Sequence, residues 1–154
     1  MSTAEVYDPS IGVWTSAGAM ASARYMHTAS LSVFGDVLVV GGSANGLDAV
    51  ASTEIRAPVT GAWSPRGSMV SARYLHTASV LPTKVLVMGG FDGIAVLSST
   101  ETYDFATGKW ASSSSMGTPR YQHVANLLPS GKILVSGGMN LDGAFTGTVE
   151  FYTP

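Results

Sequence analysis

The sequence contains no cysteine, which excludes disulfides, thiolate metal sites and cysteine nucleophiles. Charge is also scarce. Asp, Glu, Lys and Arg make up 12% of the 154 residues, and the net charge is −2. The cations are five Arg and three Lys (Lys84, Lys109, Lys132), scattered along the chain. They form no basic patch of the kind nucleic acid requires. No apolar run approaches the length of a membrane span, and no basic-then-apolar leader opens the sequence. Helical periodicity is missing over any stretch of 11 or more residues. Lack of cysteine suits either side of a membrane, so the compartment stays open, with a lean to the extracellular side.

What the sequence does have is glycine. Its 18 Gly, with many Ser and Thr, fit a compact β protein of one domain's length. It also has a repeat. Residues 23–42 read ARYMHTASLSVFGDVLVVGG, residues 72–90 read ARYLHTASVLPTKVLVMGG, and residues 119–138 read PRYQHVANLLPSGKILVSGG. Trp14, Trp63 and Trp110 are 49 and 47 residues apart, as are Arg24, Arg73 and Arg120, and His27, His76 and His123. The pairs Gly41-Gly42, Gly89-Gly90 and Gly137-Gly138 are 48 apart. Glu5, Glu54, Glu101 and Glu150 complete the pattern, so every Trp, His and Glu of the chain holds a repeat position. Residues that recur once per repeat serve the packing of the repeat, whereas a catalytic residue is expected to break the pattern.

Each unit reads as four short strands. Residues 3–7 alternate as one strand, and the Asp8-Pro9 turn leads to a second around Trp14. Residues 15–22 read as a loop. An Arg/His strand follows at 25–33, with Tyr25, His27, Ala29 and Leu31 on one side. A turn at Gly35-Asp36 then leads into the buried run Val37–Val40. The order recurs at 52–56, 61–64, 73–81 and 84–88, again at 99–104, 108–111, 120–128 and 132–136, and ends with 147–152. Four strands per 48 residues make one antiparallel sheet, and such sheets in tandem pack face to face as propeller blades.

A Gly-Gly pair after an apolar strand, an aromatic ten to fifteen residues on and a Trp beyond it together resemble the kelch repeat. The R-x-x-H-T lead-in and the segment Glu101-Thr-Tyr-Asp-Phe-Ala-Thr-Gly-Lys-Trp110 are similar to kelch repeats of bacterial and galactose-oxidase-like proteins. The resemblance implies an all-β fold in which the Arg/His strand is innermost, the Gly-Gly strand second, the Glu strand third and the Trp strand outermost. One repeat departs from it. Arg56 stands where the others have Tyr7, Tyr103 and Tyr152, so that blade's third strand is expected to be more exposed or to hold a partner.

The whole chain, residues 1–154, then reads as one kelch-type propeller arc of about three four-stranded blades. Outer strands lie at 3–15, blades at 24–64 and 73–111, and a partial blade at 120–153. Kelch propellers close with six or seven blades and propellers in general need at least four. Two such arcs complete six blades as a homodimer, with the Trp14 strand of one copy finishing the blade that ends at Tyr152 of the other. Residues 3–7 and 148–152 are the same kind of strand and compete for one slot. One Glu and one Arg per repeat invite the pairs Glu54–Arg24, Glu101–Arg73 and Glu150–Arg120, which leaves Glu5 over.

Candidate sites follow the same geometry. His27, His76 and His123 could converge on zinc or copper, but no second ligand type accompanies them and an axis holds equivalent residues apart, so no metal or other cofactor is expected. The galactose-oxidase cofactor is a tyrosine cross-linked to cysteine, which this chain cannot form. A sialidase-like site would draw on Arg24, Arg73 and Arg120 with the adjoining Tyr residues, and no G-x-S-x-G elbow is present. Asn45-Gly46, Asp92-Gly93 and Asp142-Gly143 read as turns. The binding surface implied by the family is the loop face around the channel: Tyr25, Met26, Tyr74, Leu75, Tyr121 and Gln122, rimmed by loops 43–50, 91–97 and 139–146. The expected function is a non-enzymatic binding and assembly module whose partners are itself and a protein, peptide or glycan. The alternatives are a glycan-active hydrolase or lyase, and a half-propeller, fragment or designed, without a ligand.

Overall fold

The computed structural model describes residues 1–153 and, among them, no helix. Its thirteen strands form four antiparallel sheets. β1 (Thr3–Asp8) and β2 (Val13–Ala19) make a two-stranded sheet. β3 (Thr28–Leu31), β4 (Val37–Val40), β5 (Thr53–Arg56) and β6 (Trp63–Arg66) form the second sheet in that order. β7 (Thr77–Val80), β8 (Lys84–Met88), β9 (Thr100–Asp104) and β10 (Lys109–Ser113) form the third. β11 (Val124–Leu127), β12 (Ile133–Ser136) and β13 (Val149–Tyr152) form a fourth sheet with no outer strand.

The middle Gly-Gly strand, β8, is apolar after Lys84 because both of its faces are covered. Leu38 and Val40 of β4 pack with Val85 and Val87 of β8. The opposite face of β8, Leu86 and Met88, packs with Ile133 and Val135 of β12. Strand alternation therefore sends each second residue to the preceding sheet and its neighbour to the following one. First strands contact one another in turn, β3 with β7 and β7 with β11, so the sheets stack as successive blades of an arc.

Three expectations need correction. The loop assigned to 15–22 is strand as far as Ala19, because β2 continues opposite β1 with its register shifted near Thr3 and Glu5. The Arg/His strands start three or four residues later than read, at Thr28, Thr77 and Val124. The reason is a left-handed residue in each lead-in: Met26, Leu75 and Gln122 have φ of 57°, 55° and 53°. Tyr25 and His27 thus lie outside the strand that carries Ala29 and Leu31. Finally, the third strand of the Arg56 blade is not unusually exposed. Thr53, Glu54 and Ile55 are buried, and Arg56 reaches back to the Ala17 carbonyl, Nε to O 3.4 Å.

Candidate functional site

The structure brings each repeated Arg onto its Glu. Arg24 Nη2 lies 2.8 Å from Glu54 Oε1, Arg73 Nη2 2.8 Å from Glu101 Oε1, and Arg120 Nη2 2.7 Å from Glu150 Oε1. Each guanidinium has further acceptors. Arg73 Nη1 donates to the Gly89 and Ser99 carbonyls, at 2.9 and 2.8 Å, and Nη2 donates to Ser99 Oγ at 3.0 Å. Arg24 and Arg120 repeat the set on Gly41 and Ser52, and on Gly137 and Thr148. A buried charge is tolerable when its donors are spent in this way. These guanidinium groups are engaged within the fold, which removes the arginine cluster a sialidase-like site would need.

Each Glu also ties its blade to the one before. Glu101 accepts from Val70 N at 2.7 Å and Ser71 N at 3.0 Å. Glu54 does the same with Ala21 and Ser22, and Glu150 with Gly117 and Thr118. Burial alone would raise the Glu150 carboxyl, but the Gly117 N–H, with Arg120 and Thr118, more than reverses this and holds it below the ordinary range. Glu5 is exposed and its carboxylate makes no hydrogen bond among the described residues.

Four further kinds of bond recur between the sheets, and the joint of the second and third sheets has all four. Trp63 Nε1 donates to the Ala17 carbonyl at 2.9 Å and Trp110 Nε1 to that of Gly67 at 2.8 Å. Trp14, whose preceding sheet is absent, stays largely exposed beside Tyr7. His76 Nε2 meets Thr28 Oγ1 at 2.9 Å, and His123 Nε2 meets Thr77 Oγ1 at 2.8 Å. Gly42 N donates to Arg73 O and Gly90 N to Arg120 O, both at 2.9 Å. The left-handed residues supply the last bond: Leu75 N donates to Met26 O at 3.1 Å and Gln122 N to Leu75 O at 3.0 Å. The conformation that ends the strand early turns the backbone sideways into this ladder.

His76 and His123 are packing elements between blades. Burial, then the neighbouring Arg73, pushes His76 down to about 3; burial, then Arg120, pushes His123 down to about 4. His27 is lowered by burial and Arg24. Among the described residues, no group of three or more His, Asp or Glu is placed to hold a metal ion.

Two of the concave regions adjoin residues singled out above. At the rim where the lead-ins meet, a groove of about 220 Å³ is lined by Tyr74, Leu75, Phe91, Tyr121 and Leu141. Phe91 stands edge-on to Tyr74, with ring centroids 5.6 Å apart, and tilts against Tyr121 at 6.1 Å. Tyr74 is buried, Leu75 and Tyr121 half-buried, and Tyr25, Met26 and Gln122 exposed. Phe91 and Leu141, in the rim loops, are the residues that sequence reasoning did not name individually. The second region is a cleft of about 490 Å³ between β1–β2 and the second sheet, lined by Met20, His27, Ala29, Val37, Val39 and Trp63 among others. It lies where the inner strands of the first blade are missing.

No curated protein matches the chain. Residues 72–117, which contain the whole third sheet, match the Kelch motif, and the Arg–Glu hydrogen bonds of that sheet recur in the sheets on either side: the chain is all-β and carries a kelch motif, with antiparallel sheets arranged as in a partial kelch propeller.

Proposed function

We propose that the chain is a binding and assembly module that closes into a six-bladed ring as a pair of copies and presents its rim groove to a protein, peptide or glycan. The observation that carries this reading is the complementarity of the two incomplete sheets. β1–β2 has the outer half of a blade and lacks the inner half, while β11–β13 has three strands and lacks the outer one. Each copy then supplies two whole blades and shares a third, so two copies make six. Both end faces expose apolar side chains, Leu31 and Val33 at one end and Val124, Val149 and Phe151 at the other. Such faces on a soluble chain mark interaction surfaces.

One third strand is surplus at each junction. Glu150 holds Arg120, whereas Glu5 holds nothing, so β1 yields and the Trp14 strand pairs with the free edge of β13. The register Tyr103↔Trp110 of the complete third sheet is then repeated by Tyr152 and Trp14. The rim groove supports the binding part of the reading, since aromatic faces and edges on a rigid frame suit an apolar peptide side chain or a sugar ring. The test is solution mass by light scattering over a concentration series. One species near twice 15.9 kDa is expected; a chain that stays at 15.9 kDa at every concentration refutes the ring.

A further inference from the structure

The exposed face of the fourth sheet carries unused halves of the bonds that join the other sheets. Gly138 N–H and the Gln122 carbonyl make no hydrogen bond among the described residues. Their counterparts do, in Gly42 N to Arg73 O, Gly90 N to Arg120 O and Gln122 N to Leu75 O. At the other end of the arc, the Arg24 carbonyl and Met26 N–H are unused in the same way. A donor and an acceptor at one end thus face an acceptor and a donor at the other.

The glycines say the same in terms of volume. A Cβ added to Gly89 would lie 2.5 Å from Arg120 O, 2.8 Å from the His123 ring and 2.9 Å from the Met116 methyl. The next sheet therefore seats on bare backbone. Gly137 holds the equivalent place in the fourth sheet, with φ +67°, and a Cβ there meets nothing within 4 Å. The seat is built and empty.

We infer that Gly137, Gly138 and Gln122 form a docking seat for the second sheet of another copy. Resting on the ring reading above, this assigns its contacts: Gly138 N–H to Arg24 O, Met26 N–H to Gln122 O, and Met20 and His27 over Gly137. The seat differs from the internal ones at a single polar contact. His76 and His123 each meet a threonine, but His27 meets Val124, which occupies the position of Thr28 and Thr77. The joint between copies therefore lacks one hydrogen bond that the joints within a copy possess. This makes it the weakest joint of the ring and the one that opens on dilution.

Two variants test the seat, each measured beside the wild type by light scattering and sedimentation over the same concentration series. Gly137→Asn keeps a residue that tolerates the left-handed conformation and adds a Cβ only where the second copy would sit. The expected result is an unchanged circular dichroism spectrum with the dimer lost, or its dissociation constant raised by at least tenfold. Val124→Thr changes an exposed strand position and restores the missing partner for His27; it is expected to tighten the dimer about 25-fold, the worth of one ordinary hydrogen bond at each of the two junctions. A wild-type dimer that neither variant alters overturns the seat and leaves the two-copy ring standing on other contacts. A wild type that is monomeric throughout overturns the ring itself. Should Gly137→Asn fold poorly, Val124→Thr alone decides, and an unchanged dissociation constant counts against the seat.

Discussion

Lowering the pH from 7 to 5 should remove about 4 kcal/mol of stability, and the histidines between blades are the cause. In the unfolded chain His76 and His123 titrate near their ordinary 6.5; in the fold they are pushed down to about 3 and about 4. At pH 5 the unfolded state therefore binds a proton on each ring that the folded state refuses. Stability must rise with pH wherever the unfolded state holds more protons. The contribution is complete above about pH 6.5 and shrinks as pH falls, down to about 4 for His123 and about 3 for His76. Each pH unit within that window is worth about 1.4 kcal/mol per ring, so pH 5 costs about 2 kcal/mol for each. That is a large share of the roughly 5–15 kcal/mol that holds a domain together. The shifted carboxyls act lower: Asp8, Asp104 and Glu150 contribute stability above their ordinary 3.8 or 4.5 and lose it below, which leaves the pH 5–7 window to the histidines. Urea unfolding at fixed protein concentration and ionic strength, at pH 5, 6 and 7, reads the slope directly. Between pH 5 and 6 His76 and His123 should together contribute nearly two protons per chain, with His27 adding to them, and His123→Gln should lower the slope by nearly one. A flat profile, or ring titrations near 6.5 by NMR in the folded protein, would refute the account.

Two other perturbations separate the roles of repeated residues. Glu101→Gln leaves Arg73 without its carboxylate and sets an amide N–H against the Val70 N–H; a buried pair broken on one side costs about 3 kcal/mol or more, a fall in Tm of roughly 6–12 °C. Glu5→Gln, at an exposed position with no side-chain bond, should stay within about 0.5 kcal/mol of wild type by the same thermal melt. Gly89→Ala forces a left-handed alanine, φ +59°, into the Arg120 carbonyl and the His123 ring, and strain plus overpacking should cost about 2–5 kcal/mol. A wild-type melt for Gly89→Ala would mean that the third and fourth sheets do not seat as described.

The fold was legible because the repeat spaces its anchors so evenly. Three Arg and three partnered Glu at matching intervals leave little choice of pairing, and the apolar runs ending in Gly-Gly locate the doubly covered strands. The bonds between blades were much less legible. His76 reaches Thr28 and His123 reaches Thr77, each in the preceding repeat, whereas the sequence shows His and Thr only as neighbours. The left-handed residues gave no signal at all. Met, Leu and Gln are not turn formers, and a positive φ is imposed on them by the ladder from blade to blade, not by local preference. The short reading of β2 has a local cause: Gly18, at φ +78°, looks like a loop residue, but here it sits inside a paired strand.

The ladder through Met26, Leu75 and Gln122 is made by main-chain atoms alone. Side chains other than proline that are unbranched at Cβ can stand at these positions without disturbing it, and the three present differ in size and polarity. Frame and surface are therefore separable at the rim. A library varied at 26, 75 and 122 would sample new recognition chemistry on one unchanging backbone, with proline and β-branched residues the classes that the geometry screens out.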